Sequence, residues 1–152
     1  MKLSRKGGLR LRLDPVEVSV LTTLLGQLGP TLAGEHGDDA VAQRLYPSAY
    51  PDDAEAETEY RSITESSLRA ERLDRAQACV AELAEPEVDL SDPDDATRWI
   101  QVLNDLRLVL GTRLGVTEDD PEFDPTDPAE QPRLVYHWLT GVQDAVVQAL
   151  MR

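Results

Sequence analysis

The residues of this chain able to ligate a metal, attack a substrate or transfer a proton are few and scattered. Cys79 is the single cysteine, and His36 and His137 are the only histidines. Zinc is held by three or four cysteine, histidine or carboxylate ligands at short, recurrent spacings. Residues so far apart supply no such pattern. One thiol also excludes an internal disulfide. Five carboxylates, Asp119, Asp120, Glu122, Asp124 and Asp127, crowd one acidic stretch. They lack the ligand spacing and sharp-turn glycine of a calcium loop, so solvated acid is the expectation. Glycine-rich phosphate loops and nucleophile elbows are absent as well. With 29 acidic residues in the chain, no acid–base pair stands out. The reading is non-enzymatic, with no cofactor, no metal and no catalytic residue.

Polar groups inside apolar segments are more informative. The run from Trp99 to Val116, W-I-Q-V-L-N-D-L-R-L-V-L-G-T-R-L-G-V, predicts a helix whose apolar set is too wide for a surface stripe. It nevertheless carries Asn104, Asp105, Arg107 and Arg113. Buried polar groups need partners, so this helix is expected to be central and tied to its neighbours. Asn104 and Arg107 share a face with Ile100 and Gly111, where a glycine would admit another backbone. Asp105 lies on a different face, with Arg98 and Gln101, and is not simply the ion partner of Arg107. These groups read as a structural network or as a binding surface in which Arg107 or Arg113 meets a carboxylate. A second cluster, Arg44, Tyr46, Tyr50, Glu59, Tyr60 and Arg61, surrounds the turn Y-P-S-A-Y-P. Tyrosine and arginine dominate protein contacts, although packing of the turn would also explain them. Cys79 falls on an apolar helical stretch with Ala76, Val80 and Leu83, and is expected to be a small buried thiol. A redox-sensitive thiol is the alternative.

The elements that must position these residues are mostly helices. Asp14, Pro15 and Glu17 form a helix start with a capping box, and Val16, Val20, Leu24 and Leu28 give its apolar spacing, with Leu21 and Leu25 widening the face. Gly29-Pro30 is expected to stop it. Residues 38–46 predict a short helix. A long polar helix follows from about Asp53 to Glu85, with Tyr60, Ile63, Leu68, Leu73, Ala76, Val80 and Leu83 inward. A break is expected near Ser62, Thr64, Ser66 and Ser67. Asp92-Pro93 and Asp127-Pro128 repeat the first helix's capping chemistry. The proline-rich residues 117–132 read as a loop, and Val135, Leu139, Val142, Val146 and Leu150 mark the last helix, with Trp138 beside them. The fold class is mainly α, a compact bundle of about five helices. Alternation at residues 9–13 and 87–90 adds a short two-stranded ribbon, stable only against helices.

Length and charge bound the rest. At 152 residues the chain suits one domain, read as a basic arm over 1–8 and a helical domain over 9–152. Net charge is −14, yet Lys2, Arg5, Lys6, Arg10 and Arg12 precede the first acid, Asp14. The acidic body disfavours nucleic acid and favours a basic protein partner. Direct DNA binding would need the arm, or a homo-oligomer gathering several arms. No apolar run approaches the roughly 20 residues that span a bilayer, and the amino terminus lacks the apolar core of a signal peptide. No membrane association and a cytoplasmic location are expected.

Four segments together carry a resemblance: R-L-Y-P-S-A-Y from Arg44, E-Y-R at Glu59 to Arg61, W-I-Q-V-L-N-D-L-R-L-V-L-G-T-R-L-G from Trp99, and Y-H-W-L-T-G-V-Q from Tyr136. With these the chain resembles the actinobacterial oxidative-stress transcriptional regulators (AosR-like), formerly a domain of unknown function. L-N-D-L-R-L-x-L-G-T-R-L is the most specific part, and the likeness covers nearly everything after residue 8. The resemblance implies a mostly helical, cytosolic, non-enzymatic protein acting on transcription, through contact with an alternative sigma factor or RNA polymerase, and favouring cysteine biosynthesis genes. It also implies redox control by cysteine pairing, from which this sequence departs because Cys79 stands alone; only an intermolecular bond or another thiol modification is left. An adaptor role in regulated proteolysis is the other reading the resemblance suggests.

Overall fold

A computed structural model describes residues 1–32, 39–115 and 126–152. His36 and the carboxylates of Asp119, Asp120, Glu122 and Asp124 lie outside the described residues. Five α-helices are found among those described: α1 (Pro15–Leu32), α2 (Asp39–Leu45), α3 (Ala54–Glu82), α4 (Pro93–Leu114) and α5 (Gln131–Leu150). The expected mainly α class with a small ribbon is what forms. α4 is its axis, touching α1, α2, α3 and α5. Trp99, Val102 and Leu103 of α4 are fully buried, in one cluster with Leu21 and Leu28 of α1, Val41 and Leu45 of α2, Ala76 and Cys79 of α3, and Leu139, Val142 and Val146 of α5.

The ribbon has three strands rather than two. β1 (Lys2–Ser4), β2 (Arg10–Arg12) and β3 (Val88–Asp89) pair antiparallel in that order, with Leu3 opposite Leu11 and Leu11 opposite Val88. The basic arm expected over 1–8 is thus partly strand. The hairpin turns at Gly7 and Gly8, with φ of +77° and +112°, a region costly for any residue with a Cβ. Gly8 also abuts Ser91, whose Oγ a Cβ would strike. Alternation did not announce β1, because K-L-S has one apolar residue.

Helix starts follow the capping chemistry. Asp14 N donates to Glu17 Oε1 at 3.0 Å and Glu17 N to Asp14 Oδ1 at 2.8 Å, a reciprocal capping box. Asp92 caps α4 through Asp94 N at 2.9 Å. Asp127 caps the 3-10 turn Pro128–Glu130 that leads into α5. Gly115, with φ of +67°, ends α4.

Three expectations fail for identifiable reasons. α1 does not stop at Gly29-Pro30 but continues to Leu32. An interior proline costs about 3 kcal/mol; beyond it Leu32 is fully buried, worth roughly 1.5–3 kcal/mol, and its carbonyl is capped by Arg69. α3 does not break near Ser62, because Ser62 Oγ donates back to Glu59 O at 2.7 Å and Thr64 Oγ1 to Tyr60 O at 2.8 Å within the continuous helix. The apolar faces are also partly rotated from those expected. On α1 the expected Leu21, Leu25 and Leu28 are buried, joined by Leu32, while Val16 is 72% exposed; on α3 the expected Ala76 and Leu83 are buried, but Ile63 is 71% exposed, with Leu68 and Val80 exposed too.

Candidate functional site

With so thin an apolar face, α3 is fastened to its neighbours by arginine. Helix ends leave carbonyls without partners, and three α3 guanidinium groups satisfy those of two other helices. Arg69 Nη1 donates to Leu32 O, at the end of α1, at 3.1 Å. Arg72 Nη2 donates to Leu45 O, at the end of α2, at 3.0 Å, and Arg61 Nη2 to Tyr46 O at 3.1 Å. A cation at a helix C-terminus also opposes its negative dipole end. Two of the arginines are held in turn by glutamates one turn earlier on α3, Arg61 by Glu57 at 2.9 Å and Arg69 by Glu65 at 2.7 Å.

Tyr46 lies buried beneath this framework. The guanidinium carbons of Arg69 and Arg72 stand 5.1 and 5.2 Å from its ring centroid, within cation–π range. Its hydroxyl faces Leu32 O at 3.5 Å, and burial pushes the phenol above its ordinary pKa. Arg72 also pairs with the Asp105 carboxylate, which reaches the junction from α4 and is only 3% exposed. Burial raises the Asp105 carboxyl, against the pull of Arg72 and Arg75. Above this foundation opens a cleft of about 230 Å³ lined by Tyr46, Pro47, Tyr60, Arg61, Thr64 and Leu68 among others. Tyr50 packs edge-on against Tyr60, with ring centroids 6.0 Å apart, and is itself exposed. Tyr50 N donates to Glu57 Oε2 at 2.7 Å, and that hydrogen bond leads in holding the Glu57 carboxyl below its ordinary range. Arg44 is exposed on α2.

The residues singled out from sequence therefore divide. Tyr46, Tyr60 and Arg61 come together at the cleft, Tyr50 reaches it only through its packing against Tyr60, and Asp105 joins them from below through Arg72. Arg107 points elsewhere. Its Nε donates to Thr140 Oγ1 at 3.0 Å and its Nη1 to Gln143 Oε1, and its guanidinium covers the Tyr136 ring at 5.7 Å, all on α5. Arg113 Nη2 donates to Thr31 Oγ1 on α1 at 3.0 Å. Asn104 is exposed. Gly111 accommodates not a backbone, as expected, but the Tyr136 ring, 3.0 Å from where a Cβ would stand. His137 lies edge-on to Tyr136 at 5.5 Å. Arg69, Arg72, Glu57 and Glu65 were not singled out. The Glu57–Arg61 and Glu65–Arg69 spacings of four were the available signal.

Cys79 is fully buried, and burial, with the charge of Glu82, pushes its thiol up to about 12. Beside it Glu82 pairs with Arg98 and accepts from Trp99 Nε1. Among the described residues no three His, Cys, Asp or Glu side chains gather as a metal site, and no described helix is long and apolar enough to cross a membrane. The groups around Tyr46 mainly hold one another and the ends of two helices, an arrangement suited to presenting a fixed surface.

The putative oxidative stress regulator AosR of Mycobacterium leprae is 32% identical over 130 residues, covering 75% of this chain and 59% of the relative. The oxidative stress regulator AosR of Mycobacterium tuberculosis is 30% identical over 129 residues, covering 74% and 59%. The chain thus spans 59% of the length of these curated relatives. No solved structure matches it. A family model described as "Domain of unknown function (DUF2017)" matches residues 1–150, and the chain belongs to that family.

Proposed function

We propose that this protein is a non-enzymatic regulator of the oxidative-stress response that docks a protein of the transcription machinery, a sigma factor or RNA polymerase, on the cleft above Tyr46. The response comes from the names of its relatives. The mode of action rests on one observation, the tyrosine and arginine rim over a junction already fixed by Arg61, Arg69 and Arg72. Such residues anchor protein contacts, and a surface ordered beforehand loses little entropy on binding. The net charge of −14 speeds encounter with a basic partner. Direct DNA binding is the weaker reading, because Arg10 already pairs with Asp89 and Arg12 with Glu87 within the sheet. Arg5 likewise donates to Ala149 O.

The test is a pull-down from an actinobacterial lysate, with and without oxidant, comparing wild type with a Tyr50→Ala, Leu68→Ala double variant, which alters the cleft lining at Leu68 and the ring packed against Tyr60. Both side chains are exposed, so the fold should survive. Sigma factor or RNA polymerase should be recovered with wild type and fall at least tenfold with the variant. Equal recovery with both would remove the cleft from the contact. Recovery of a protease complex alone would replace the transcriptional reading by the adaptor one.

A further inference from the structure

At the end of α1 away from Leu32, the first two turns of α1 and α5 leave an apolar groove of about 370 Å³. Val16 and Val20 form one wall, and Leu134, Val135 and Trp138 the other. Within each wall two residues stand four apart, one helical turn. Val16 and Leu134 are exposed. A valine so exposed at the start of a helix contributes nothing to the core, and it faces a wall that is also apolar. The polar edge of Trp138 is satisfied, since its Nε1 donates to Glu17 Oε2 at 2.9 Å. It therefore brings apolar surface to the groove.

We infer that this groove is a second docking site, taking a short amphipathic helix of a partner protein that presents two apolar side chains one turn apart with lysine or arginine beside them. Paired residues on each wall match that spacing, as in other helix-in-groove contacts. The charge of the flank follows from the two charged residues of the lining, Asp14 and Glu17, both acids. Glu17 is occupied by Asp14 N, Trp138 and the Met1 ammonium, the last at 2.7 Å; Asp14 Oδ1 accepts from Glu17 N, and the outer oxygen of this exposed carboxylate is the one to meet the cation. A second copy of this chain is disfavoured as occupant, because it would bring a further net charge of −14 to an acidic rim. The inference shares with the proposed function only the premise of action by contact. The groove and the cleft share no lining residue, so either can fail alone.

The experiment follows the indole N–H resonance of Trp138 in the full chain, with buried Trp99 as internal reference. The probes are a leucine–lysine amphipathic helical peptide, its leucine–glutamate twin, and a serine–lysine peptide of equal charge. The leucine–lysine peptide should shift the Trp138 signal saturably. Val16→Ser and Leu134→Ser, which remove apolar surface without adding a charge that would attract the lysines, should each weaken that binding at least threefold. A Trp138 signal that does not move, or that moves equally with the glutamate or the serine peptide, would overturn the inference. Self-association abolished by Leu134→Ser would also overturn it, by giving the groove to a second copy.

Discussion

Arg72 of α3 and Asp105 of α4 form an ion pair at the junction of three helices, with the Asp105 side chain almost wholly withdrawn from water and Arg72 largely so. The same guanidinium caps Leu45 at the end of α2 and covers the Tyr46 ring. Removing one partner leaves the other charge buried and uncompensated, a loss of about 3–5 kcal/mol for a fully buried pair. Some solvent reaches Arg72, so Asp105→Ala and Arg72→Ala should each cost about 3 kcal/mol in urea unfolding. An Arg72→Met, Asp105→Leu double variant should lose markedly less than the two single losses added together. Additive losses would mean that the two residues act independently.

Acid should separate the two carboxylates of the site by sign. Glu57 is held below its ordinary value of 4.5, first by the Tyr50 N–H. A depressed carboxylate contributes stability above its unfolded pKa and loses it as pH falls through the folded one. Asp105 is raised above 3.8 by burial, so its ionised form is disfavoured in the fold and the penalty is relieved as pH falls. Wild type should therefore lose its advantage over Glu57→Gln in acid, whereas against Asp105→Asn the difference should move in favour of wild type. Urea midpoints between about pH 3 and pH 7 read both slopes. Parallel curves for Glu57→Gln would contradict the hydrogen bond from Tyr50.

Gly111 and Tyr136 set the spacing of α4 and α5. A Cβ at 111 would stand 3.0 Å from Tyr136 Cε2, and Arg107 covers that ring while bonded to Thr140 and Gln143. Alanine regains up to about 1 kcal/mol of helix propensity, enough to offset a small shift of the ring, so Gly111→Ala should be nearly neutral. Gly111→Val overfills the site and should cost about 2 kcal/mol. In a Tyr136→Ala background that loss should largely disappear, as measured by thermal or urea unfolding. A loss that persists without Tyr136 would place the constraint elsewhere.

What could be read beforehand was what sequence encodes locally. Asp14, Asp92 and Asp127 mark their helix starts because a cap needs only residues within one turn. The centrality of α4 followed from its wide apolar set. Arg69 and Arg72 escaped notice because their acceptors, Leu32 O and Leu45 O, lie 37 and 27 residues away and carbonyls leave no signature in sequence. Val16, Val20, Leu24 and Leu28 have helical spacing, which predicts Val16 on the apolar face. Leu21 and Leu25, expected only to widen that face, form with Leu28 and Leu32 an equally regular set, and tertiary packing chose it. That same choice left Val16 at the groove.

Cys79 bears directly on how an oxidative signal could be received. A thiol attacks as thiolate, and with the Cys79 thiol pushed up to about 12 by burial, the thiolate is scarce at pH 7. The side chain is fully buried, packed within the core that holds Ala76, Leu83 and Trp99. Burial thus restricts both the reactive form and access to it. Labelling by a disulfide reagent should proceed far more slowly in native buffer than in urea, and its native rate should follow the opening of α3 from α4. Arg98→Ala, which removes the partner of Glu82 across that boundary, should speed labelling by loosening the contact. Equal rates in native and denaturing conditions would show a surface thiol open to direct oxidation. Slow native labelling would instead require any oxidant response through Cys79 to begin with movement of α3.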